Sequence, residues 1–362
     1  MRLIVDCFKL VKGEGKSIGI YNVALNLARN IADLAKEYNI DITILGNKFN
    51  REDFDIPGIS FVVVDKDPRN KLYCIFWELF DVVKYYKKYK ADAILFPRGY
   101  TTLFHSMNDA IIVHDMIPFY YHKNYPGYFN KLENAYIMNR LKASINSASK
   151  VITISKASKR DILDINRVDE NKISVINNGR NKIDVVSMEH KDYIVAMTSG
   201  LPHKNAVGIV RSYEEYTKIA ANPLPIMIIG IDDAKQYVTN ESTLDNITCY
   251  KYIKSNEEMH RLIGEAKLFL FLSEIEGFGF PPVEAMELGV PVICSNCSSL
   301  PEVVGDAAVL VDPKDYGTVG CAIDDLLNDE SKQKELLVKG LKNIERFGWD
   351  KIAREYVELL VK

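Results

Sequence analysis

A short β-like run followed by an amphipathic helical pattern recurs along this chain, breaks once, and restarts. In the first series Leu3–Val5, Ile40–Leu45, Phe61–Val64, Ala93–Phe96, Ala110–Val113, Val151–Ile154 and Ile173–Ile176 read as strands. Val23, Leu27, Ile31 and Leu34 fall at helical spacing, and Trp77–Tyr89 and Phe129–Ala148 read as helices. Strict alternation of this kind implies parallel sheet with helices on its faces. The polar stretch Asn177–Lys191 interrupts it as a candidate linker. The second series has strands at Tyr193–Met197, Pro225–Gly230, Leu268–Leu272, Val290–Cys294 and Ala308–Val311, with helices at Ala206–Ala220, 316–327 and 329–345. A last helix, Trp349–Val361, follows Gly348. With 362 residues the chain fits two domains of about 150–200 residues. The predicted fold class is α/β, two consecutive doubly wound units. Ligands of such sheets lie outside the carboxyl ends of the strands, so chemistry is sought just after them.

Composition removes several other classes. Hydrophobic residues make up 47% and charged residues 26%, an ordinary globular mixture rather than a disordered or fibrous one. Apolar runs such as Ile226–Ile231 stop far short of the ~20 residues that span a bilayer. The opening MRLIVDCFKL lacks the pattern of a secretory signal, which leads to the expectation of a cytoplasmic protein. Of six cysteines only Cys294 and Cys297 form a C-x-x-C pair, and no second pair stands at zinc spacing, so neither disulfides nor a zinc site is expected. Residues 1–185 hold 28 basic against 21 acidic side chains, and residues 186–362 hold 18 against 28. The net charge of −3 argues against a dedicated nucleic-acid binder. The basic, tyrosine-rich run Lys84–Lys90 reads either as a solvated helix face or as contact with an anionic membrane surface.

The segment Ser273–Asp315 carries the most chemistry. Its strand pattern ends at Leu272, Gly277 and Gly279 form a loop, and Pro281–Pro282 then open a helix, where a missing N–H costs nothing. The amides of Gly277, Phe278, Gly279 and Phe280 beside a positive helix end make an anion cradle suited to a diphosphate. Glu276 and Glu284 flank it, one in the loop and one in the first helical turn. A carboxylate accepts two hydroxyl hydrogen bonds at once, as binding a vicinal diol requires. The bland alternatives are a capping box at Ser273-x-x-Glu276, which Gly277 and Gly279 make untenable, and a dipole-favoured first-turn acid at Glu284.

Glu276-GFGFPPV-Glu284, with Ser298-Ser-Leu-Pro-Glu302-Val and Gly305-Asp-Ala-Ala, resembles the donor-site signature of the retaining glycosyltransferases of family 4, which have the GT-B fold. The resemblance covers about 40 contiguous residues closely and nearly the whole chain loosely. It implies two Rossmann-like domains facing a cleft, with the C-terminal helix returning to the first. Residues 1–185 plus 347–362 would form the acceptor-side domain, and 186–346 the nucleotide-sugar donor domain. Gly200-Leu-Pro-His-Lys204-Asn205 is similar to the family's Lys-Asn/Gly segment, whose lysine neutralises the donor pyrophosphate. Where many relatives carry an Arg shortly before that Lys, Thr198 and Ser199 stand here. Weaker phosphate neutralisation is therefore expected, or help from His203 or another cation. His114-Asp115-Met-Ile-Pro118 resembles the family's His-Asp-x-x-Pro, whose His lies beside the transferred sugar. Ser17-Ile-Gly19-Ile20-Tyr21 is similar to Gly-Ile-Gly-Arg-Tyr, with Ser17 and Ile20 replacing a Gly and the Arg.

The resemblance thus implies a hexosyltransferase acting in surface polysaccharide biosynthesis, such as O-antigen or capsule. Its donor would be a nucleotide diphosphate sugar and its acceptor a glycan or lipid-linked glycan. Similarity to O-antigen and capsule enzymes points to a mannosyl donor or a related deoxyhexose. His114 and Glu276 are the expected catalytic residues. Gly19, Ser199, Lys204, Gly277, Phe278, Gly279, Phe280 and Glu284 are expected to bind the donor. No metal and no cofactor are expected, since Asp324-Asp325 falls on a helix and neither it nor Asp232-Asp233 accompanies a nucleotide loop. Two other classes stay open: a GT-B-fold epimerase of nucleotide sugars, and a non-catalytic two-domain ligand binder.

Overall fold

The computed structural model describes residues 1–13, 18–103, 107–183 and 189–361. Seven strands make the first sheet: β1 (Arg2–Asp6), β2 (Asp41–Gly46), β3 (Ser60–Val63), β4 (Ala93–Phe96), β5 (Asp109–Val113), β6 (Lys150–Thr153) and β7 (Ile173–Val175). Their order is β3-β2-β1-β4-β5-β6-β7, and every pairing is parallel. Six more make the second: β8 (Lys191–Met197), β9 (Ile226–Ile229), β10 (Ile247–Tyr250), β11 (Ala266–Phe271), β12 (Val292–Ser295) and β13 (Val309–Val311), ordered β10-β9-β8-β11-β12-β13 and again all parallel. The central strands β4 and β5 are buried at every residue, as strands covered by helices on both faces must be. This is the pair of Rossmann-like sheets that the strand–helix alternation and the family resemblance led us to expect.

The reversal in strand order falls between β1 and β4 in one sheet and between β8 and β11 in the other. Ligands of doubly wound sheets bind at such points. In the second sheet the two flanking loops are the two segments singled out from sequence, one leading from Met197 to Lys204 and one from Phe271 to Phe280.

The chain divides into two compact units, Met1–Gly179 with Phe347–Lys362, and Arg180–Arg346. The division falls within the candidate linker Asn177–Lys191, a few residues before the 185/186 boundary that the resemblance implies, because Arg180 is already tied into the second unit. Its Nε donates to the Ile344 carbonyl at 3.0 Å and its Nη1 pairs with Glu287, which also accepts from the Ile183 amide at 3.1 Å. Both side chains are largely buried, so Glu287→Ala strands a guanidinium and an amide together. We expect a loss of about 3 kcal/mol from the second unit's stability, read as a lower urea midpoint, with Glu287→Gln intermediate.

The C-terminal helix belongs to the first unit. Trp349, Ile352, Ala353, Tyr356, Val357 and Leu360 form its buried stripe, and it packs on the helix Ile18–Leu34. A bidentate Arg354–Glu37 pair, at 2.5 and 3.0 Å, and a Lys150 Nζ bond to the Leu359 carbonyl at 2.9 Å fasten its rim. Gly179 admits it: a Cβ there would stand 2.2 Å from the Trp349 ring.

Some elements differ from their sequence reading. Helix begins at Lys71 rather than Trp77, because the Asn70 side chain caps it by accepting from the Tyr73 amide. It then passes through a π-turn at Trp77–Asp81 into Val82–Lys88. The edge strand β10 is only half-buried, so its sequence lacks a clean apolar signal.

Candidate active site

The loop after β11 is built around Gly279. Its φ of +101° is a left-handed conformation, and a Cβ added there would meet Leu300 at 2.5 Å. Gly277, Phe278 and Gly279 are buried and Phe280 is half-buried. The helix Phe280–Glu287 starts immediately, with prolines in its first turn. The turn is held from one side by two serines. The Ser298 hydroxyl donates to the Glu276 carbonyl at 2.8 Å, and Ser299 Oγ lies 3.0 Å from that oxygen and 2.8 Å from the carbonyl of Phe278. Ser298 itself takes a left-handed φ of +54°. These serines lie in the motif tail noted from sequence. Their anchoring role was not legible there, because it depends on β11 and β12 being neighbours.

The loop after β8 ends in a tight turn, Pro202–Lys204, and Asn205 locks it. Asn205 adopts φ +55° and is buried. Its side-chain amide donates to the Leu272 carbonyl at 3.1 Å and the Pro313 carbonyl at 3.2 Å, while its Oδ1 caps the next helix at the Gly208 amide, 3.0 Å away. Thr198 Oγ1 donates to the Lys204 carbonyl at 2.7 Å. Both ends of the turn are thus fixed, and Lys204 projects from it toward the neighbouring strand's loop.

Lys204 Nζ lies 2.5 Å from Glu276 Oε1 and 5.8 Å from the centre of the Phe271 ring. The two side chains are 25% and 11% exposed, so the pair is shielded yet reachable from solvent. One cation and one carboxylate from different loops therefore meet where the strand order reverses. Ser199 is half-buried and its Oγ accepts from the Leu201 amide at 3.3 Å.

Of the alternatives read from sequence, weaker phosphate neutralisation or help from His203 or another cation, the structure disfavours His203. It is buried, and burial together with the Lys204 charge pushes its imidazole down to about 4. Its carbonyl serves the site instead, accepting from the Glu274 amide at 2.8 Å and Ser273 Oγ at 3.1 Å. Glu284 is likewise displaced from its predicted place. Because the helix begins at Phe280, Glu284 is its fifth residue and lies outside the first turn, so the dipole-favoured reading fails. Its carboxyl is half-buried and is raised by that burial and by the charge of Glu287.

Gly19 and His114 are in the first unit. Gly19 is the second residue of the helix Ile18–Leu34, exposed and with open space where a side chain would begin. Ser17 lies outside the described residues. His114 directly follows β5, and its Nε2 is 2.8 Å from the Pro97 carbonyl. A carbonyl only accepts, so Nε2 carries the proton and a neutral ring leaves Nδ1 as an acceptor. Burial, reinforced by the charge of Arg98, lowers this histidine to about 4.

These shifts fix a pH dependence. Between about 6.5 and 4 the unfolded chain protonates His114 and His203 while the folded chain does not, so acidification through that window destabilises the fold. Asp6, raised to about 6 by burial, acts oppositely over most of that window, and the raised carboxyls of Glu284 and Asp161 act in the same direction as Asp6. The histidine contribution is read by comparison: between pH 6.5 and 4 the parent's urea midpoint is expected to lose more than that of His114→Asn, and equal changes would contradict it.

Two family models divide the chain. The one described as Glycosyltransferase Family 4 matches residues 19–182, and Glycosyl transferases group 1 matches 179–342. Both parts of the chain thus match glycosyltransferase family models. The chain is 27% identical over 249 residues to O-antigen chain mannosyltransferase B of Escherichia coli, covering 64% of this chain and 65% of that protein. It is 32% identical over 225 residues to O-antigen chain mannosyltransferase RfbU of Salmonella typhimurium, covering 60% and 61%. The match therefore spans less than two thirds of either relative. Among solved structures, sucrose-phosphate synthase from Thermosynechococcus elongatus superposes with a TM-score of 0.74 at 18% identity, covering 99% of this chain and 98% of that one. The Anabaena protein HepE in complex with UDP gives 0.70 at 16% identity, covering 99% of each chain. Both place the chain in the GT-B fold. Of the acidic pairs set aside from sequence, Asp232 pairs with Lys251 at 2.8 Å, and Asp324 and Asp325 stand on the helix Tyr316–Asn328.

Proposed function

We propose that this protein transfers a hexose from a nucleotide diphosphate sugar to an acceptor hydroxyl of a surface polysaccharide, retaining the anomeric configuration. The observation that carries this is the Lys204–Glu276 contact beside the Gly277–Phe280 turn. Charge growing on the departing diphosphate is met by the Lys204 ammonium and by amides of the turn, whose carbonyls the serines already hold. Preorganised electrostatics of this kind usually lowers a reaction barrier more than any other single effect. Glu276 then holds sugar hydroxyls and Glu284 the ribose diol. Neutral His114 offers Nδ1 to a sugar hydroxyl. The names of the E. coli and Salmonella relatives favour a mannosyl donor, and HepE's bound UDP supports nucleotide binding on this fold.

The decisive experiment is nucleotide recognition followed by turnover. UDP, GDP, dTDP and ADP are compared by thermal shift, where ligand at 100 times its Kd adds about 2.7 kcal/mol. The nucleotide that stabilises, GDP by this reading, then names the donor for an assay of nucleotide release. A new sugar isomer formed from the donor alone would favour the epimerase instead, and stabilisation without release in any acceptor mixture a simple binder. Metal independence belongs to the same proposal, and full activity in EDTA is expected.

The acceptor side of the proposal includes an anionic membrane surface. Lys84, Lys87, Lys88 and Lys90 are exposed, whereas Tyr85, Tyr86 and Tyr89 turn toward the core. Leu72 is 80% and Leu132 83% exposed, with Phe76 and Phe80 beside them, an apolar patch next to a lysine rim. Lys71 and Glu133, 3.5 Å apart, bridge the two helices that carry the leucines. Sedimentation with anionic vesicles, weakened by Leu72→Glu and absent with neutral vesicles, is expected; equal recovery with both would remove the membrane from the proposal.

A further inference from the structure

The first sheet has a strand reversal of its own, between β1 and β4, and three cations gather there. Lys9 follows β1, Arg98 follows β4, and Arg140 reaches in from the helix Lys131–Ser147. The Tyr100 ring draws two of them to one place, with Lys9 Nζ 5.7 Å and the Arg140 guanidinium 5.8 Å from its centre. The third is tied in through the backbone, since Arg98 Nη1 donates to the Lys9 carbonyl at 3.0 Å.

These charges are incompletely matched. Buried Glu78 pairs with Lys9 and lies 3.7 Å from Arg140. Among the described residues Arg98 makes no ion pair. Both guanidinium groups keep a buried Nε without a hydrogen-bond partner. Arg140 is only 6% exposed, and its remaining nitrogens donate to the Thr101 carbonyl at 2.9 Å and to Ser144 Oγ at 3.2 Å. Two other carboxylates stand near: Asp6, which accepts from Trp77 Nε1 at 3.1 Å and from the Phe8 amide at 3.2 Å, and Asp115, whose charge reaches the Tyr100 ring. Keeping unmatched cations out of water is costly unless an anion completes the set. The setting also fits a ligand: Lys9, Arg98 and Tyr100 are half-buried rather than sealed, at the strand ends where doubly wound sheets bind. The Arg98 charge is felt at His114, which puts the cluster beside the histidine that the proposed function assigns to the sugar.

We propose that Lys9, Arg98 and Arg140 bind a phosphate or diphosphate ester carried by the acceptor, separately from the donor diphosphate. The anion site stands on this geometry, whereas its assignment to the acceptor rests on the transfer reading. Two guanidinium forks and one ammonium suit the several oxygens of a phosphoryl group better than a single carboxylate.

The test uses the full chain carrying Lys204→Gln, which weakens the donor site, titrated calorimetrically with inorganic pyrophosphate. Binding is expected to persist, to weaken at least about tenfold when Arg98→Gln is added, and to recover in part with Arg98→Lys. Loss of binding with Lys204→Gln alone, or no change on adding Arg98→Gln, would overturn the site. Circular dichroism of each variant separates lost binding from lost folding. Neutral vesicles with and without a polyprenyl diphosphate identify the source: Arg98-dependent capture of the doped vesicles means a lipid-borne group, and pyrophosphate binding without capture means a soluble one. Arg98-dependent pyrophosphate binding in a protein that consumes no nucleotide sugar supports the anion site while refuting the transfer reading.

Discussion

Glu276→Ala is expected to slow sugar transfer by about 100-fold or more, with the loss in kcat rather than in the affinity for nucleoside diphosphate. The reason is the position of the carboxylate. It sits 2.5 Å from Lys204 and so restrains the ammonium in the parent, and in the proposed reaction it also holds the sugar. Removing it frees Lys204 to engage phosphate, and diphosphate affinity should hold or rise while transfer collapses. Glu276→Gln keeps shape and one acceptor oxygen but not charge, and should fall between parent and alanine. Steady-state kinetics with the nucleotide sugar, alongside calorimetry with the free nucleoside diphosphate, separates the two quantities. Alanine with undiminished turnover would remove Glu276 from the site.

The largest structural effect is expected at Asn205. Its amide satisfies two carbonyls belonging to different loops, and its oxygen caps the helix Ala206–Ile219. Asn205→Ala leaves both carbonyls without this donor, uncaps the helix, and places alanine in a left-handed conformation that asparagine tolerates better. Together these amount to about 3–4 kcal/mol, visible as a lower thermal or urea midpoint of the second unit. Because the same side chain sets the Lys204 turn against the end of β11, diphosphate binding should weaken even where the variant stays folded. Asn205→Asp keeps the cap but not the two donated bonds, and should recover only part of the loss.

The fold was legible because parallel strands covered on both faces are written as continuous apolar runs, such as Ala93–Phe96 and Leu268–Phe271, set between helical periods. The C-terminal helix was equally plain, since its buried stripe follows one helical face from Trp349 to Leu360. The helix start at Lys71 was not, because its cap comes from the short side chain of Asn70 rather than from any apolar period. At the site, the spacing of Glu276, Gly279 and Glu284 announced a loop entering a helix, yet it could not say where the helix began. Glu284 thereby moved out of the first turn. His203 stood beside Lys204 in sequence and looked like a spare cation, but only packing shows it buried and uncharged at neutral pH. The Lys204–Glu276 contact itself joins residues 72 positions apart, which no local pattern reports. The clustering of Lys9, Arg98 and Arg140 is of the same kind, brought about by the adjacency of β1 and β4.

A structure of the protein bound to its nucleoside diphosphate examines the donor site directly. The β-phosphate should lie within hydrogen-bond reach of Lys204 Nζ and of an amide in Gly277–Phe280, with the ribose hydroxyls at Glu284. A diphosphate bound away from Lys204 and that turn would contradict the assignment of the donor site to the paired loops after β8 and β11.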